Sequence, residues 1–474
     1  MEHIRNIRLC ALLLACLSLE ALALPAIVVS GAGATVRSAI APFPASKVDF
    51  VGFGDGPGLG MGQWGAFGYA VSDHETYRWI LAHYYGGTTL TSQDALVSGD
   101  AMVSVDIDEN DGHPVVVTSE SAFSFGGYLF AAGQAARAVL SSGAWSLSEA
   151  SSCASTSWSP VATQLVNPLA EPSSLLASAS ASQVLTICEH GGRHLAVRGT
   201  VEAYDAPSGA VTLNRLPLEE YVESVTSAEV SWSWGLFGAS ASAPQGEPWG
   251  FQALEAQAVA TRSYTATELA SGGWKPYATT CDSYCQSYPG MAGDTADVDD
   301  AVADTAGQIL EEPAPPPGQS GGQSPSSAHF VVPAPGHQPP PVPVSPPLYV
   351  PALAEYSAST GGYTGGGPFP GVVDLGDSIC IKSHYYTCNP CHKWVAAVPV
   401  ASFEKAFKSI GPLGALDVTQ RNGLGALGGR VETVEIVGTS GTTLSVPSYE
   451  LEPLIAANNT YHCASDWFGV SNGP

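Results

Sequence analysis

One glutamate, Glu229, has the surroundings that acid catalysis requires. It ends the apolar segment that begins at Leu216, and Trp232, Trp234 and Trp249 follow it closely in sequence. A carboxyl group among aromatic rings is disfavoured in its charged form, which makes it a proton donor near neutral pH. Aromatic faces are also surfaces on which sugar rings stack. These residues therefore predict acid-catalysed cleavage of a glycan, with Glu229 as the acid.

A single carboxylate favours one class of glycan chemistry over another. Hydrolytic glycosidases generally use two carboxylates, one as acid and one as nucleophile or base. A lytic transglycosylase needs only one, because the C6 hydroxyl of the sugar attacks the anomeric carbon and the same group serves as acid and then as base. The opposing interpretation is that Glu229 is a solvated residue or a cap. A Ser/His/Asp site is not expected, because the sequence has no nucleophile elbow.

A glycine-rich stretch, Gly52–Gly65, carries glycine at nearly every second position. No Lys-Ser/Thr pair follows it, so the stretch does not predict a phosphate loop, and no nucleotide is expected. Dense glycine lets a flat ligand approach the main chain, with Gln63 and Trp64 as a hydrogen-bonding group and a stacking face. The alternative is a tight turn that packs against the core. A second polar stretch, Tyr356–Thr364, offers hydroxyls and backbone amides for binding.

The N-terminus predicts export. Arg5 and Arg8 precede a mostly apolar segment, and Ala32-Gly33-Ala34 supplies the small residues that a signal peptidase accepts, so residues 1–34 are predicted to be a signal peptide. The alternatives are a membrane anchor, which the acid at Glu20 disfavours, and a lipoprotein site at Cys16. We expect a secreted protein associated with the cell wall.

Cysteine usage agrees with export. Ten cysteines less Cys10 and Cys16 of the leader leave eight, an even number that favours disulfides in an exported protein. The expected local pairs are Cys153 with Cys188 and Cys281 with Cys285, with two more bridges among Cys380, Cys388, Cys391 and Cys463. The alternative is zinc, held by Cys281 and Cys285 or by Cys388 and Cys391 with His384 and His392. No four-ligand set has convincing spacing, so we expect neither metal nor cofactor.

The charge excludes some partners. The formal net charge is −26, with 17 Lys and Arg residues and no basic stripe. Nucleic acid is therefore not an expected partner, since phosphate contacts need clustered positive charge. A strongly acidic exterior predicts a soluble monomer.

The periodicity predicts an α+β fold of short mixed strands with few helices. Two hairpins are predicted from turn residues: one joins 101–107 to 114–118, and the other joins 197–204 to 209–213. Strands are also predicted at 431–437 and 441–446. The helices are predicted at 76–83, 219–226 and 249–269, the last being Ala-rich. Residues 311–350 are rich in Pro, Gly and Ser and are predicted to be a disordered insertion.

Four segments together resemble the SpoIID/LytB family, named for the stage II sporulation protein D and an amidase enhancer. They are Leu216–Val230, resembling LPLEEYLxGVVxxEMP; Ala253–Tyr264, resembling ALKAQAVAARTY; Tyr356–Thr364, resembling YSSSTGGYT; and Gly58–Ala66 with Ile80–Thr88, resembling GHGVGMSQWGA and ILxHYYxGT. The order of the motifs is similar to that of secreted members from high-GC Gram-positive bacteria. It implies one SpoIID-like domain in two parts, 48–310 and 351–474, on either side of the insertion.

The resemblance implies a peptidoglycan lytic transglycosylase that acts on glycan strands, with the family's catalytic glutamate at Glu229. The alternative within the family is a non-catalytic, wall-binding enhancer of a cell-wall amidase. A third class, a disulfide-rich adhesive surface protein, would use the proline-rich segment for contact. The candidate substrate-binding residues are Gln63, Trp64, Gln257, Arg262, Gln286, Ser357, Ser359 and Thr360. The other role open to Gln257 and Arg262 is packing, or holding Glu229 in place.

Overall fold

A computed structural model describes residues 40–92, 97, 101–172, 184–239, 241–314, 349–382 and 386–471. The predicted signal peptide, 1–34, lies outside the described residues. So does most of the predicted insertion, but its two edges are described and form paired strands. Backbone pairing extends to residue 313 and resumes at residue 349, and the insertion itself stays a prediction.

Seven α-helices lie within the described part of the chain. They are α1 (Gln63–Gly68), α2 (Tyr77–Tyr84), α3 (Leu218–Glu229), α4 (Phe251–Ser271), α5 (Ala296–Asp304), α6 (Val400–Ala406) and α7 (Glu452–Ala456). The three helices predicted from periodicity correspond to α2, α3 and α4.

The strands are short and numerous. The first eleven are β1 (Lys47–Gly52), β2 (Met61–Gly62), β3 (Thr89–Thr91), β4 (Met102–Asp106), β5 (Val115–Thr118), β6 (Phe123–Phe125), β7 (Tyr128–Phe130), β8 (Ala135–Ser141), β9 (Ala144–Ala150), β10 (Ser159–Leu165) and β11 (Leu169–Pro172). The next eight are β12 (Leu185–Cys188), β13 (His194–Val197), β14 (Thr200–Ala206), β15 (Gly209–Pro217), β16 (Thr280–Cys281), β17 (Ile309–Pro313), β18 (Tyr349–Pro351) and β19 (Tyr356–Ser357). The last seven are β20 (Cys380–Lys382), β21 (Tyr386–Cys388), β22 (Trp394–Pro399), β23 (Leu413–Arg421), β24 (Val431–Gly438), β25 (Thr443–Pro447) and β26 (Phe468–Ser471). The mixture of helices and strands confirms the predicted α+β class.

The described residues form two compact units. We call the first the outer unit, because its segments lie mainly towards the two ends of the sequence. It takes its described residues from Met1–Gly65, Ser357–Gly366 and Gly371–Pro474. The second, the middle unit, takes its residues from Ala66–Tyr356 and Gly367–Pro370. The arrangement of one SpoIID-like domain in two parts stays a prediction.

Two large, mostly antiparallel sheets and three helices build the middle unit. One sheet has six strands in the order β10-β9-β8-β5-β12-β13, and the other has seven in the order β16-β4-β15-β14-β11-β6-β7. Alternate residues of both sheets point into one hydrophobic core, as Val103 and Val105 of β4 and Val115 and Val117 of β5 show. The helices α3, α4 and α5 add side chains to the same core.

Helix α4 is the central element of the middle unit. Small side chains cover most of it, and its residues from Phe251 to Ser263 are all buried. It contacts α2, α3, α5, β17 and β18, so it has neighbours around most of its circumference. A helix buried on all sides must satisfy its polar side chains within the protein. That requirement gives roles to Glu255, Gln257 and Arg262.

The outer unit has smaller sheets. Its three-stranded sheets have the orders β22-β1-β26 and β23-β24-β25, and β20 pairs with β21. A separate hydrophobic core includes Val48 and Phe50 of β1, Phe403 of α6 and Val434 of β24. The burial of β1 alternates along the strand, so one of its faces belongs to this core.

One predicted hairpin is confirmed and one is wrong. Strands β14 and β15 pair antiparallel through the turn at 207–208, as predicted, and β24 pairs with β25. Strands β4 and β5 form at the predicted positions but do not pair. Strand β4 joins the seven-stranded sheet and β5 the six-stranded sheet. The segment that contains Asn110 connects the sheets instead, because the side chain of Asn110 is buried and bonds to Thr212 and to the Pro114 carbonyl.

The eight cysteines predicted to be bridged form four disulfides, which are Cys153–Cys188, Cys281–Cys285, Cys380–Cys388 and Cys391–Cys463. The bridges use all four cysteine sulfurs of the alternative zinc sites. Within the described residues, no group of three or more His, Cys, Asp or Glu side chains is arranged to hold a metal ion. Among the same residues, no helix has both the length and the apolar character needed to cross a membrane.

Glu255 makes the stability of the middle unit depend on pH. Its side chain is completely buried in α4 and accepts a hydrogen bond from Gln252 at 2.5 Å. Burial, followed by the nearby charge of Asp304, raises the pKa of Glu255 to about 8. In the unfolded chain the same carboxyl releases its proton near its ordinary value of 4.5. Between those values the folded state binds more protons, so stability falls as the pH rises.

We therefore expect Glu255→Gln to flatten the pH dependence of folding. The free energy of unfolding of the unaltered protein should decline from about pH 5 to about pH 8, by at most about 1.4 kcal/mol per pH unit from this group. The variant should lose that part of the decline, as measured by urea denaturation across the range. Glu247→Gln, at an exposed position, is the control and should keep the slope. An unchanged slope in Glu255→Gln would contradict the prediction.

Candidate functional site

Glu229 is the last residue of α3, and the sequence fixes its place. The helix follows Pro217 and ends where Val230 adopts an extended conformation. Leu218, Tyr221, Val222 and Val225 recur at helical spacing and are buried. That face anchors α3 to the core and leaves the side chain of Glu229 half-buried at the helix end.

A short loop holds the Glu229 carboxylate. Strand β16 pairs in parallel with β4 and positions the start of the loop, and the Cys281–Cys285 disulfide closes it. Further along, the backbone N–H of Ser287 donates a hydrogen bond to Oε1 of Glu229 at 2.9 Å. The sequence alone left two interpretations of Cys281 and Cys285 open, a disulfide and a zinc site. They form a disulfide, and this bridge belongs to the segment that orients the candidate acid.

Tyr356 and Gln286 form a polar layer beside this carboxylate. The Tyr356 hydroxyl donates to Oε1 of Gln286 at 2.8 Å, and Nε2 of Gln286 donates to Oγ1 of Thr265 at 3.0 Å and to the Tyr221 hydroxyl at 3.3 Å. Burial raises the pKa of Tyr356 well above its ordinary value, and the negative charge of Glu229 adds to the effect. Tyr356 therefore stays protonated near Glu229.

Three of the candidate substrate-binding residues, Gln257, Arg262 and Gln286, are buried in the middle unit. Gln286 is buried, with both ends of its amide bonded to protein groups as described above. Gln257 is also buried, and its Nε2 donates to Oγ1 of Thr261 at 3.2 Å. These amides and Arg262 are buried and bonded within the protein, and their role as substrate-binding residues stays a prediction. Gln257 and Arg262 are buried because they lie on α4 at the centre of the unit, whereas Gln286 lies in the loop after β16.

Arg262 is fully buried and bonds to Glu219, not to Glu229. Its Nε lies 2.9 Å from Oε1 of Glu219 and its Nη2 lies 2.6 Å from Oε2, which is a two-pronged arrangement. Its Nη1 donates to the carbonyl of Gln308 at 3.1 Å. Arg262 thus joins α4 to the first turn of α3 and to the segment before β17, and it fixes the helix that carries Glu229.

The three tryptophans near Glu229 in sequence differ in exposure. Trp234 is buried and stacks on Phe67 with 4.7 Å between ring centroids. Trp249 is buried and stacks on His74 at 4.8 Å. Trp232 is 39% exposed and is the one of the three that keeps a substantial surface for a ligand.

The remaining candidates lie in the outer unit. Ser359 and Thr360 are fully buried. The Ser359 hydroxyl donates to Asp377 at 2.8 Å, and the Thr360 hydroxyl donates to Asp374 at 2.7 Å. Ser357 is buried and its hydroxyl donates to a backbone carbonyl. The expected substrate-binding hydroxyls are therefore occupied by two buried carboxylates and the main chain.

The sequence analysis did not identify Asp377, the residue to which several of these side chains bond. Asp377 is buried and also accepts from the backbone N–H of Thr360 at 3.0 Å, and it lies 2.8 Å from Nδ1 of His392. Asn389 donates to the Ser359 hydroxyl at 3.0 Å. The signal in the sequence was the pair Asp374 and Asp377, shortly after the hydroxyl-rich stretch. Nothing local indicated that their side chains point inward.

The glycine-rich loop packs closely against protein groups. Gly54 and Gly58 adopt left-handed backbone angles, with φ of 81° and 67°. A Cβ atom on Gly54 would lie 2.7 Å from the Ser359 carbonyl oxygen, and one on Gly58 would lie 1.8 Å from the guanidinium of Arg430. The turn interpretation therefore accounts for these two glycines. At the end of the loop Gln63 is buried and Trp64 is partly exposed.

Residues 207–311 match the family model SpoIID, described as Stage II sporulation protein. The chain contains a SpoIID domain. The matched segment lies wholly in the middle unit and includes Glu229, Gln257, Arg262 and Gln286. No curated protein and no solved structure matches the chain.

The match supports part of the family expectation. A SpoIID domain indicates a cell-wall-related role, and the four disulfides fit an exported protein. The other resembling segments, Gly58–Ala66 with Ile80–Thr88 and Tyr356–Thr364, lie outside the matched residues. Membership of the secreted high-GC type stays a prediction.

Among the polar residues of α4, Arg262 should lower the free energy of unfolding most when it is replaced by alanine. Arg262→Ala removes the hydrogen bonds that Arg262 makes to the Glu219 carboxylate and the Gln308 carbonyl, and leaves Glu219 with the Gly307 N–H. Because Glu219 is one-third exposed, we expect a loss of about 3 kcal/mol in the free energy of unfolding, near the low end for a broken buried pair. Guanidinium denaturation measures it. Arg78→Ala, at an exposed position, serves as the control, and equal effects of the two substitutions would refute the assigned role.

Proposed function

We propose that this chain is an exported lytic transglycosylase of peptidoglycan glycan strands, with Glu229 as its single acid and base. The observation that carries the proposal is the half-buried carboxylate at the end of α3, oriented by the Ser287 N–H and bordered by the protonated Tyr356. The SpoIID match, which includes Glu229 and Ser287 but not Tyr356, supports a substrate in the cell wall.

The proposed reaction needs one proton donor and no water. Glu229 gives its proton to the glycosidic oxygen as the bond from that oxygen to the anomeric carbon breaks. The resulting carboxylate then accepts the proton of the C6 hydroxyl as the C6 oxygen bonds to the same anomeric carbon. The products are a strand with a free hydroxyl and a strand with a 1,6-anhydro end, and Glu229 returns to its protonated form.

The surrounding residues would position the acid. The Ser287 N–H limits rotation of the carboxyl group, and the disulfide-closed loop limits movement of Ser287. Trp232, three residues after Glu229 and partly exposed, offers a face on which a sugar ring could stack. These contacts would orient the carboxyl group and the sugar relative to each other. Correct orientation of the reacting groups supplies a large part of the catalytic effect.

Glu229→Gln is the direct test. The amide keeps the shape of the side chain but cannot donate and recover a proton, so we expect the release of anhydro-ended fragments from denuded peptidoglycan to fall by a factor of about 10² to 10⁴. Mass spectrometry of the soluble products measures it. Glu220→Gln, on the same helix, is the matched control and should retain the product.

The same experiment distinguishes a transglycosylase from a non-catalytic enhancer of an amidase. If the unaltered protein produces no anhydro ends, the transglycosylase proposal is wrong. Binding of glycan strands that survives Glu229→Gln, together with stimulation of a cell-wall amidase, would then identify a non-catalytic enhancer. Circular dichroism of each variant verifies that the substitution has not unfolded the protein.

A further inference from the structure

A cavity lies in the middle unit, and none of the predicted site residues lines it. Its volume is about 380 Å³, within the range of about 300 to 1,000 Å³ that is usual for small-ligand pockets. Its lining includes Val116, Arg137, Trp158, Glu189 and His194. Basic, acidic, aromatic and aliphatic groups therefore meet in one concave surface.

The floor of the cavity is one face of the six-stranded sheet. Arg137 of β8 pairs with Val116 of β5, and Cys188 of β12 pairs with His194 of β13. Because Val117 pairs with Ile187, the antiparallel register also sets Val116 opposite Cys188. These four residues form a row across neighbouring strands, and directly opposed residues share a face. The adjacent residues, such as Val117 and Ile187, point to the core instead.

The wall of the cavity is a loop fixed to this floor. The Cys153–Cys188 disulfide ties the loop to β12. Trp158 closes the loop, with its Nε1 donating to the Ser155 carbonyl at 2.9 Å. The guanidinium of Arg137 lies over the Trp158 ring, 4.4 Å from its centroid. A cation held on an aromatic face in this way keeps its orientation, so the floor and the wall are preorganised.

Arg137 carries a positive charge that no described carboxylate balances. Its Nε is buried without a hydrogen-bond partner, and it forms no ion pair within the part of the chain that the structure describes. Glu189, which also lines the cavity, is paired with Arg193 at 3.1 Å. An unbalanced arginine is notable in a chain with a net charge of −26. It marks the cavity as a site for an anionic group.

We propose that this cavity binds a carboxylate-bearing sugar of the cell wall, with the lactyl carboxylate of N-acetylmuramic acid as the group that Arg137 recognises. A guanidinium presents paired N–H donors that match a carboxylate. Val116 and the edge of Trp158 supply apolar surface for the body of the sugar, and His194 supplies a further polar group. The choice of a cell-wall ligand rests on the proposed function, but the site does not depend on Glu229.

The first test is a titration of the purified protein by calorimetry. N-acetylmuramic acid and N-acetylglucosamine are the matched probes, because they differ by the lactyl group that bears the carboxylate. We expect N-acetylmuramic acid to bind at least about tenfold more tightly, since hydrogen bonds to a charged group are the stronger kind. Equal affinity for the two sugars would overturn the proposal. Equal affinity for acetate and N-acetylmuramic acid would also overturn it, because the site would then recognise any small anion.

The second test uses variants. Arg137→Gln should weaken the binding of N-acetylmuramic acid about tenfold or more, with little change for N-acetylglucosamine. Arg78→Gln is the matched control, because Arg78 also lies over an aromatic ring, that of Tyr77 at 4.8 Å, but does not line the cavity. It should bind like the unaltered protein. If Arg137→Gln remains folded and binds normally, Arg137 does not recognise the carboxylate and the proposal is wrong.

Two further measurements distinguish this cavity from the Glu229 site and from a site for stem peptides. Glu229→Gln should still bind N-acetylmuramic acid, so a failure of the transglycosylase proposal and a failure of this one give different results. An acetylated D-Ala-D-Ala dipeptide is the probe for the other common carboxylate of peptidoglycan, the end of a stem peptide. Preference for the dipeptide over N-acetylmuramic acid would overturn the assignment to the sugar.

Discussion

The ion pair between Arg262 and Glu219 is the interaction on which the middle unit most depends. The residues of α4 from Phe251 to Ser263 are all buried, so each polar side chain among them needs a partner inside the protein. Arg262 meets this requirement by bonding to the first turn of α3 and to the carbonyl of Gln308. The same bonds set the position of α3 against α4. The location of Glu229 at the far end of α3 follows from that packing.

A second constraint acts at the other end of α3. The loop closed by Cys281–Cys285 is held to β4 through β16, and it delivers the Ser287 N–H to the Glu229 carboxylate. Gln286, next to Ser287, points the other way and bonds to Tyr356, Tyr221 and Thr265. The neighbouring residues Gln286 and Ser287 therefore have different roles. One orients the candidate acid, while the other anchors the loop to the buried polar layer behind it.

The predicted site residues of the two units have similar surroundings. In each unit, polar side chains that the motifs singled out are bonded to buried partners, as Arg262 is to Glu219 and Ser359 is to Asp377. Several of the motif residues therefore bond to other parts of the protein. The groups with surface left for a ligand are fewer, and they include Glu229, Trp232 and Trp64. The cavity around Arg137 lay outside every motif, because the strands that bring its residues together are distant in sequence.

The sequence by itself determined the local elements and the candidate acid. Helical periodicity predicted α3 and α4, turn residues predicted the hairpin of β14 and β15, and the motif resemblance identified Glu229 and the SpoIID segment. These features depend on residues close together in the chain. The tertiary structure decided which strands pair, so β4 and β5 entered different sheets despite the turn between them. It also decided which polar residues face inward, because burial depends on what packs against an element and not on the residue's own neighbours in sequence.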